Sequence, residues 1–264
     1  MSEFDFKRSR PSGAELHIGS RNRTILFCCG KTEIRRKSVI IGDAMNNIRY
    51  KAVVFDLDGT LLNTLEDLQD IVNHTMRKFG FPERTLDEVR AAVGNGVGKL
   101  LEYSLPDGRN TPDFDTILAD MRAYYDVHPG TGTKPYPGVC EVIERFQHAG
   151  LKVAVVSNKI HSASVALCKK YFPTVDTVCG EREAEGIKRK PAPDSVFTAA
   201  HDMGVDVSDC IYVGDSEVDI ATAHNAGIKC VSVLWGYRER EYLETVGADV
   251  FARDADELYS VVCG

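Results

Sequence analysis

Two aspartates, separated by a single residue, follow the apolar run 52–55 in the segment Asp56-Leu57-Asp58-Gly59-Thr60. An ionised Asp56 could attack phosphorus and form an aspartyl-phosphate. A protonated Asp58 could donate to the leaving oxygen and later accept a proton from water. Environments that push the pKa values of two carboxyl groups apart allow such a division of roles. An acidic turn that contains a glycine is the alternative interpretation of the segment.

A second acidic segment, Gly214-Asp215-Ser216-Glu217-Val218-Asp219, also follows an apolar run. A carboxylate close to Asp56 could hold a hard cation, because Mg²⁺ usually takes one or two protein carboxylates, several waters and a phosphate oxygen. We expect Asp215 to bind this metal directly and Asp219 to orient the waters around it. The alternative, that these acids cap the next helix, fits Ser216 and Glu217 better than it fits Asp215.

A lysine precedes two closely spaced prolines in the segment Lys190-Pro191-Ala192-Pro193. Proline suits the first turn of a helix, so a helix is expected to follow. A cation that points back toward the aspartates would offset the crowded carboxylates and the charge of a phosphoryl group. Lys190 is therefore a candidate catalytic residue, whereas the adjacent Lys188 and Arg189 are typical of solvated charges.

A hydroxyl group and a small amide follow the run 152–156 in the segment Ser157-Asn158-Lys159. At a turn from strand to helix, a hydroxyl and backbone N–H groups can hold phosphate oxygens. Ser-Asn is also an ordinary turn and cap pair, so this segment alone is weak evidence for a site.

Short β-branched runs alternate with amphipathic segments from residue 51 onward. Buried parallel strands are predicted at 51–56, 152–157, 174–180, 210–215 and 228–233. Helical patterns lie between several of these runs, and glycines end them. The alternation predicts an α/β fold in which helices cover both faces of a parallel sheet.

The alternation is interrupted between the first two predicted strands, where almost a hundred residues contain no good strand. Helices are predicted there at 65–79, 85–93, 96–104 and 113–127. Turn-rich joints near 63–64 and 129–137 enclose this block. We expect an all-helical insertion of about 70 residues over the carboxyl ends of the strands, where open α/β sheets bind ligands.

In chain order, Asp56-x-Asp58-Gly59-Thr60, Ser157, Lys190-Pro191 and Gly214-Asp215…Asp219 resemble the four motifs of the haloacid dehalogenase superfamily. The resemblance covers about residues 50–264. It implies a Rossmann-like core sheet of strand order 5-4-1-2-3, with Asp56 as nucleophile and Asp58 as acid and base. It implies Mg²⁺ held by Asp56, the Asp58 carbonyl and Asp215. Thr60, Ser157 and Asn158 are the expected substrate-binding residues of the motifs.

The helical insertion resembles the small cap of the phosphoglycolate phosphatase-like branch. Four segments are similar to that branch as well: 136–139, 157–159, 190–193 and 235–238. The expected domains are an irregular N-terminal appendage (1–49), a hydrolase core (50–64 and 135–264) and a helical cap (65–134). The first 44 residues have nine Lys and Arg against five acids, match nothing in the family, and are expected to be dispensable for the chemistry.

The second acid of the first motif favours phosphate-ester chemistry over cleavage of a carbon–halogen bond. Displaced halide needs no proton, whereas a leaving alkoxide must be protonated, and Asp58 could supply that proton. The resemblance implies a Mg²⁺-dependent phosphatase that acts on a small phosphorylated metabolite, with 2-phosphoglycolate as the first choice. A compact cap would enclose such a substrate and exclude water.

Several alternatives stay open from the sequence. A pyrophosphatase, a phosphosugar phosphatase or a phosphosugar mutase could use the same scaffold, because these enzymes differ in how fast water reaches the aspartyl-phosphate. A signalling receiver domain also has a phospho-accepting aspartate on a parallel sheet, but it has no Asp-x-Asp-Gly-Thr segment and no helical block after its first strand. A catalytically inactive binding protein is disfavoured because every motif residue is present.

A glycine-rich segment in the helical block, Gly94-Asn95-Gly96-Val97-Gly98-Lys99-Leu100, does not match the phosphate loops of nucleotide-binding proteins. A helix–helix connection is one interpretation. The other is a specificity loop in which the cation of Lys99 contacts a carboxylate of the substrate. Arg90 and Arg122, which fall on predicted cap helices, are the competing cations.

Composition limits the class of protein. The chain has 264 residues, 43% of them hydrophobic and 27% charged, and a net charge of −7. This balance is typical of a globular protein and disfavours nucleic acid as a partner. No apolar run is long enough to span a bilayer, so no membrane partner is expected. The sequence does not distinguish a monomer from a homodimer.

The eight cysteines form no C-x-x-C pair and no zinc spacing, so reduced thiols are expected, most of them buried. The N-terminal residues have acids and no apolar core of a signal peptide, which gives a cytoplasmic location as the default. Met45, shortly before the first predicted strand, could be a start codon.

Overall fold

A computed structural model describes residues 48–128 and 132–264 of the chain. The appendage predicted at 1–49 lies outside these residues except for its last two, as do Met45, Cys28, Cys29 and part of the joint at 129–137. The described strands are β1 (Ala52–Phe55), β2 (Leu62–Asn63), β3 (Lys134–Pro135), β4 (Lys152–Ile160), β5 (Thr177–Glu181), β6 (Cys210–Gly214), β7 (Lys229–Val233) and β8 (Phe251–Ala252).

Six of these strands form one parallel sheet in the order β5-β4-β1-β6-β7-β8. The family resemblance implied five strands, and the sheet has a sixth, the two-residue strand β8, at one edge. The first strand lies between β4 and β6, so the carboxyl ends of these three strands are neighbours. Ligands of open α/β sheets bind at such a point, where the order of the strands reverses.

The helices are α1 (Leu65–Phe79), α2 (Leu86–Ala92), α3 (Gly96–Ser104), α4 (Phe114–Val127), α5 (Val139–His148), α6 (His161–Tyr171), α7 (Asp194–Met203), α8 (Glu217–Ala226), α9 (Arg240–Thr245) and α10 (Ala255–Cys263). Alternate residues of β1 pack on opposite faces of the sheet: Val53 and Phe55 contact one apolar cluster with α5, α6 and α10, and Ala52 and Val54 contact another with α7 and α8. The sheet is thus covered on both faces, as its apolar runs predict.

Helices α1 to α4 form a separate block between β2 and β3, with an apolar cluster of their own. At the base of this block β2 and β3 pair as an antiparallel ribbon, with Leu62 opposite Pro135 and Asn63 opposite Lys134. The ribbon brings together the two connections between the block and the sheet. Tyr237, which follows β7, is buried in the same cluster as the four helices, so the block packs directly on the end of the sheet.

Strand β4 is longer than the sequence pattern indicates. The predicted strand ended at 157 and a turn was expected to follow, but the strand continues to Ile160, which pairs with Glu181 of β5 after a shift of register that follows Val156. Helix α6 then begins at His161. The pairing of Ile160 with Glu181 returns the chain to the sheet after this irregular segment, and residues 157–159 are buried beside the cavity.

None of the helices in the described ranges is both long enough and apolar enough to cross a membrane. The six cysteines within these ranges, at positions 140, 168, 179, 210, 230 and 263, are free thiols, and three of them are buried. Burial raises the pKa of the Cys210 thiol to about 11 and that of Cys168 to about 12, which favours unreactive, protonated thiols.

Candidate active site

The pairing of β1 with β6 brings two aspartates of the sequence motifs together. Phe55 pairs with Val213, and the N–H of Asp56 donates to the Val213 carbonyl at 2.9 Å. Val213 is followed by Gly214 and then by Asp215. The residues Asp56 and Asp215 are both at least 94% buried. Oxygens of these two carboxylates and of Asp219 lie within 4.8 Å of one another. The sheet therefore concentrates negative charge at the carboxyl end of its central strands.

Close backbone packing fixes the position of Asp215. Gly59 has a φ of +92°, and a side chain on Gly59 or on Gly236 would overlap the Asp215 carboxylate. The Tyr237 N–H donates to Asp215 Oδ2 at 2.7 Å, and the Thr60 hydroxyl donates to Oδ1 at 3.2 Å. Thr60 was predicted to bind substrate, but it is fully buried beneath the site and does not line the cavity. Its hydroxyl orients Asp215 instead.

The ammonium group of Lys190 reaches the aspartates through the interior of the protein. Its Nζ lies 2.6 Å from Asp56 Oδ1 and 2.7 Å from Asp219 Oδ1, and it donates to the Tyr212 hydroxyl at 3.2 Å. Burial opposes the charge of Lys190, but Asp219 and Asp56 outweigh burial and raise its pKa well above the usual value. The lysine predicted from its motif thus lies beside the predicted nucleophile.

Burial also changes the pKa values of Asp56 and Asp215, the two aspartates of the predicted metal site that line the cavity. It raises the pKa of Asp56 well above the ordinary range, against the attraction of Lys190. It raises the pKa of Asp215 to about 7, with a further contribution from the charge of Asp219, while the hydrogen bond from the Tyr237 N–H acts in the opposite direction. Both carboxylates thus lack enough positive charge around them, and a bound cation would supply it.

Asp219 was assigned to the metal site, as a residue that orients its waters, and the structure gives it a different environment. Oδ1 accepts from Lys190 and from the Tyr212 hydroxyl, and Oδ2 accepts from the N–H groups of Asp215 and Ser216 and from the Ser216 hydroxyl. Both oxygens are therefore occupied, and the side chain does not line the cavity. Asp219 completes a capping box for α8 and anchors Lys190.

Asp58 lies at the cavity and pairs with a lysine that sequence reasoning did not single out. Lys159 Nζ lies 2.9 Å from Asp58 Oδ1 and 3.1 Å from Oδ2, and the lysine side chain is only 5% exposed. The Thr64 hydroxyl also donates to Oδ1, at 2.8 Å. Lys159 belongs to the Ser-Asn-Lys segment, so its position beside two candidate residues was the signal that could have identified it.

The two substrate-binding residues predicted beside Lys159 differ in their surroundings. Ser157 is buried and lines the cavity, and its Oγ accepts from the Lys159 N–H at 3.2 Å. The Asn158 side chain is committed to the protein: Oδ1 accepts from the Lys190 N–H, and Nδ2 donates to the carbonyls of Lys190 and Gly94. Asn158 thus holds the backbone of Lys190 and the loop before α3 rather than offering its amide to a ligand.

A cavity of about 60 Å³ lies between the end of the sheet and the helical block. Its floor carries Asp56, Asp58, Lys159, Lys190 and Asp215. The wall that the helical block contributes is mainly apolar, and its members are Leu68, Ile71, Val93, Val97, Leu100, Met121 and Tyr125. The arrangement places a charged floor that suits a phosphoryl group below a dry, apolar roof.

Lys99 does not belong to this cavity, contrary to the prediction. Its side chain is 47% exposed, and its Nζ pairs with Glu102 at 2.8 Å, one turn further along α3. The glycine-rich segment does reach the cavity, but through Gly94, Gly96 and Val97. Leu100 takes the inward position on the helix, so the neighbouring residue Lys99 faces solvent.

Arg238 is a further site residue that was not predicted. Its guanidinium group binds both carboxylate oxygens of Glu217, at 2.9 and 3.2 Å, and donates to the carbonyls of Arg90 and Val93 at the end of α2. It thereby connects the first residue of α8 to the helical block. The segment 235–238 was noted as similar to the family branch, but a sequence pattern does not show which distant carbonyls an arginine will reach.

The donor set at the floor of the cavity fits a hard divalent cation. Asp56 and Asp215 line the cavity, and the oxygens of Asp219 are saturated by donors. Oxygen ligands of this type suit Mg²⁺, which keeps several of its waters. Burial raises the pKa values of Asp56 and Asp215, and a bound cation would favour their charged forms.

Comparison with known proteins agrees with this geometry. The family model described as Haloacid dehalogenase-like hydrolase matches residues 53–233. A Caulobacter vibrioides protein named phosphoglycolate phosphatase is 34% identical over 211 residues, which cover 78% of this chain and 88% of the relative. A Rhodospirillum rubrum protein of the same name is 33% identical over 222 residues, or 79% of this chain and 90% of the relative.

A solved structure shows the same relationship in three dimensions. The crystal structure of a candidate phosphoglycolate phosphatase from Lactobacillus delbrueckii subsp. bulgaricus superposes with a TM-score of 0.77 at 32% sequence identity, and the match covers 82% of this chain and 99% of that one. The match confirms the resemblance on which the site residues were identified. The chain belongs to the haloacid dehalogenase-like hydrolases, in their phosphoglycolate phosphatase-like branch, and is a hydrolase of phosphoric monoesters.

Proposed function

We propose that this protein is a Mg²⁺-dependent phosphatase that hydrolyses 2-phosphoglycolate through an aspartyl-phosphate on Asp56. The observation that carries the proposal is the convergence of Asp56, Asp215 and Lys190 at the floor of a cavity roofed by the helical block. The names of the relatives from Caulobacter vibrioides and Rhodospirillum rubrum support the choice of substrate.

Asp56 has one carboxylate oxygen available for attack. Lys190 binds Oδ1, and Asp56 lines the cavity, so we assign the attack to Oδ2. In the first step Oδ2 forms a bond to phosphorus while the bond from phosphorus to the ester oxygen breaks. Asp58 in its protonated form gives its proton to that oxygen as it leaves. The products of this step are the free alcohol and the phosphorylated Asp56.

The second step regenerates the enzyme. Asp58, now a carboxylate, accepts a proton from a water molecule as that water attacks phosphorus. The bond from phosphorus to Asp56 breaks, which releases inorganic phosphate and restores the Asp56 carboxylate. Lys159 and the Thr64 hydroxyl hold the Asp58 carboxylate in the cavity during this step, since both donate to its oxygens.

The metal would be held by the carboxylates of Asp56 and Asp215, with the Asp58 backbone carbonyl as the third ligand that the family resemblance implies. Bound Mg²⁺ supplies positive charge that offsets both the carboxylates and the charge on the phosphoryl group. Thr60 and the Tyr237 N–H keep Asp215 in place for this role, and Lys190 supplies the remaining charge beside Asp56.

We also propose a core of residues 50–64 and 135–264 and a cap of residues 65–134. The separate apolar cluster of α1 to α4 and the ribbon of β2 and β3 at their base support this division. The cap would exclude water from the site before the first step, because its wall of the cavity is apolar.

The test is hydrolysis of p-nitrophenyl phosphate with Mg²⁺ and with chelator, by the wild-type protein and by Asp56→Asn. We expect activity only with the metal, and a loss of at least a thousandfold in Asp56→Asn, because the variant has no nucleophile. Asp256→Asn, at an exposed surface site, is the matched control and should keep wild-type activity. An Asp56→Asn variant with a tenth of wild-type kcat would disprove the assignment. A panel of phosphorylated metabolites, ranked by kcat/KM, then tests 2-phosphoglycolate as substrate.

A further inference from the structure

The apolar roof of the cavity raises the question of what contacts the carboxylate of the substrate. Six of the cap residues that line the cavity have aliphatic or thioether side chains: Leu68, Ile71, Val93, Val97, Leu100 and Met121. A carboxylate placed against these residues would lose its hydration without gaining a partner, which is strongly unfavourable. We therefore expect a cation on the floor of the cavity to bind the carboxylate of such a substrate.

Among the residues that the structure describes, three cationic side chains line the cavity, and two of them are engaged by several partners. Lys190 has three partners, namely Asp56, Asp219 and Tyr212. Arg238 is bound to Glu217 and to two backbone carbonyls of the helical block. The third is Lys159, whose Nζ donates to one carboxylate, that of Asp58, and also interacts with the hydroxyl of Tyr125, a neutral group at the edge of the roof.

The position of Lys159 matches the shape of 2-phosphoglycolate. Asp58 must reach the ester oxygen in order to protonate it. Lys159 Nζ lies within hydrogen-bond distance of both Asp58 oxygens, 2.9 Å from Oδ1 and 3.1 Å from Oδ2. In the substrate only one methylene group separates the ester oxygen from the carboxylate. The Nζ also lies 5.1 Å from the ring centroid of Tyr125, at the boundary between the charged floor and the apolar roof.

We propose that Lys159 is the specificity-determining residue of this site and binds the carboxylate of 2-phosphoglycolate. The proposal rests on the proposed function, and it assigns to Lys159 the role that the sequence suggested for Lys99. An ammonium group has three N–H donors, so Lys159 can bind the substrate carboxylate and keep a contact with Asp58. The apolar roof then disfavours any larger charged group in the same position.

Binding measurements on the Asp56→Asn protein test the proposal without turnover. Isothermal titration calorimetry with Mg²⁺ compares 2-phosphoglycolate with 2-hydroxyethyl phosphate, in which a neutral hydroxyl replaces the carboxylate. Adding Lys159→Met should raise the Kd of 2-phosphoglycolate about tenfold to a hundredfold, which is the effect of losing one charge-assisted hydrogen bond. The Kd of 2-hydroxyethyl phosphate should change less than threefold. Lys99→Met is the matched control and should change neither ligand.

Two further variants address the buried charge that Lys159→Met leaves on Asp58. Lys159→Arg keeps a cation and should keep most of the preference for 2-phosphoglycolate. Asp58→Asn combined with Lys159→Met removes both charges, so the protein retains no unpaired carboxylate, and this variant should still bind the two ligands with similar affinity. Each variant is measured in the Asp56→Asn background.

The proposal would be overturned if Lys159→Met, alone and combined with Asp58→Asn, weakened the binding of both ligands equally. Lys159 would then be a residue that only positions Asp58. An unchanged preference for 2-phosphoglycolate in these variants would overturn it as well. Failure of the proposed function gives a different result, which is the absence of Mg²⁺-dependent hydrolysis of 2-phosphoglycolate by the wild-type protein. If that activity is present while Lys159→Met keeps its preference, only the inference about Lys159 fails.

Discussion

Lys190 and Asp219 form a buried ion pair beside Asp56, the proposed nucleophile, with 2.7 Å between Nζ and Oδ1 and side chains that are 3% and 1% exposed. The other oxygen of Asp219 accepts from the backbone N–H groups of Asp215 and Ser216. One carboxylate thus connects the loop that carries Asp215 to the cation that contacts Asp56. We infer that Asp219 affects the reaction through these two groups and not by contact with metal or phosphate.

Asp219→Asn should both destabilise the protein and lower its activity. Removing one partner of a buried ion pair costs about 3–5 kcal/mol, because the other charge stays buried without compensation. In a chain of this size we expect Tm to fall by about 10 °C. Because Lys190 loses an anchor, kcat/KM should fall about a hundredfold. Thermal unfolding and steady-state kinetics measure the two effects, with Asp256→Asn as control. A variant with wild-type Tm and kcat/KM would show that the pair has neither role.

Asp215→Asn should separate metal binding from stability. Millimolar Mg²⁺ is expected to raise the Tm of the wild-type protein by a few degrees, because a ligand that binds only the folded state stabilises it. Asp215→Asn should abolish this rise. Its Tm in chelator should stay within about 2 °C of wild type, since an amide oxygen can still accept from Thr60 or Tyr237 and one of the crowded buried charges is gone.

Comparing Asp215→Asn with Asp219→Asn shows which of the two aspartates binds the metal. In differential scanning fluorimetry with and without Mg²⁺, Asp219→Asn should keep the metal-dependent rise in Tm even though its baseline Tm is lower. If Asp219→Asn lost the rise and Asp215→Asn kept it, the two aspartates would have exchanged roles and the assignment of the metal ligand would be wrong.

The residues that could be predicted from the sequence are those whose position depends on one strand. Asp56 and Asp215 each end an apolar run, and neighbouring parallel strands bring such ends to the same edge of a sheet. Because local hydrophobic patterning determines both the run and its end, the motif residues could be recognised from the sequence. The helices of the inserted block follow from the same kind of local signal.

The residues that could not be predicted depend on packing between distant segments. Lys159 lies on an extension of β4 that returns to pairing with β5 at Ile160, after an irregular register. Arg238 reaches the end of α2 across more than a hundred residues of sequence. Lys99 was assigned to the wrong side of its helix, because a single charged residue in a short helix does not show how that helix packs. The side-chain amide of Asn158 could bind phosphate, but it forms hydrogen bonds with backbone groups instead, among them the N–H of Lys190.

Lys99→Ala should leave both activity and selectivity unchanged. The side chain is half exposed, pairs with Glu102 and lies over the exposed ring of Tyr103, and exposed pairs of this kind contribute less than about 1 kcal/mol. We expect kcat/KM for 2-phosphoglycolate and for p-nitrophenyl phosphate within threefold of wild type, and Tm within about 3 °C. Side-by-side kinetics with the two substrates check this. A selective loss of tenfold or more on 2-phosphoglycolate would return Lys99 to the site and contradict the structure.

Arg238→Lys should weaken the connection between the two walls of the cavity while keeping the positive charge. The guanidinium group binds Glu217 through two N–H groups and still reaches the carbonyls of Arg90 and Val93, a geometry that a single ammonium cannot reproduce. Because these contacts hold the helical block against the site, we expect KM for 2-phosphoglycolate to rise about tenfold and kcat to change less. Arg240→Lys is the matched control, since Arg240 pairs with Glu244 at the surface and lies over the ring of Phe251, outside the cavity lining, and it should leave both constants unchanged. A fall in kcat at constant KM would instead place Arg238 in contact with the reacting phosphoryl group. Equal effects of the two variants would assign the loss to general surface charge.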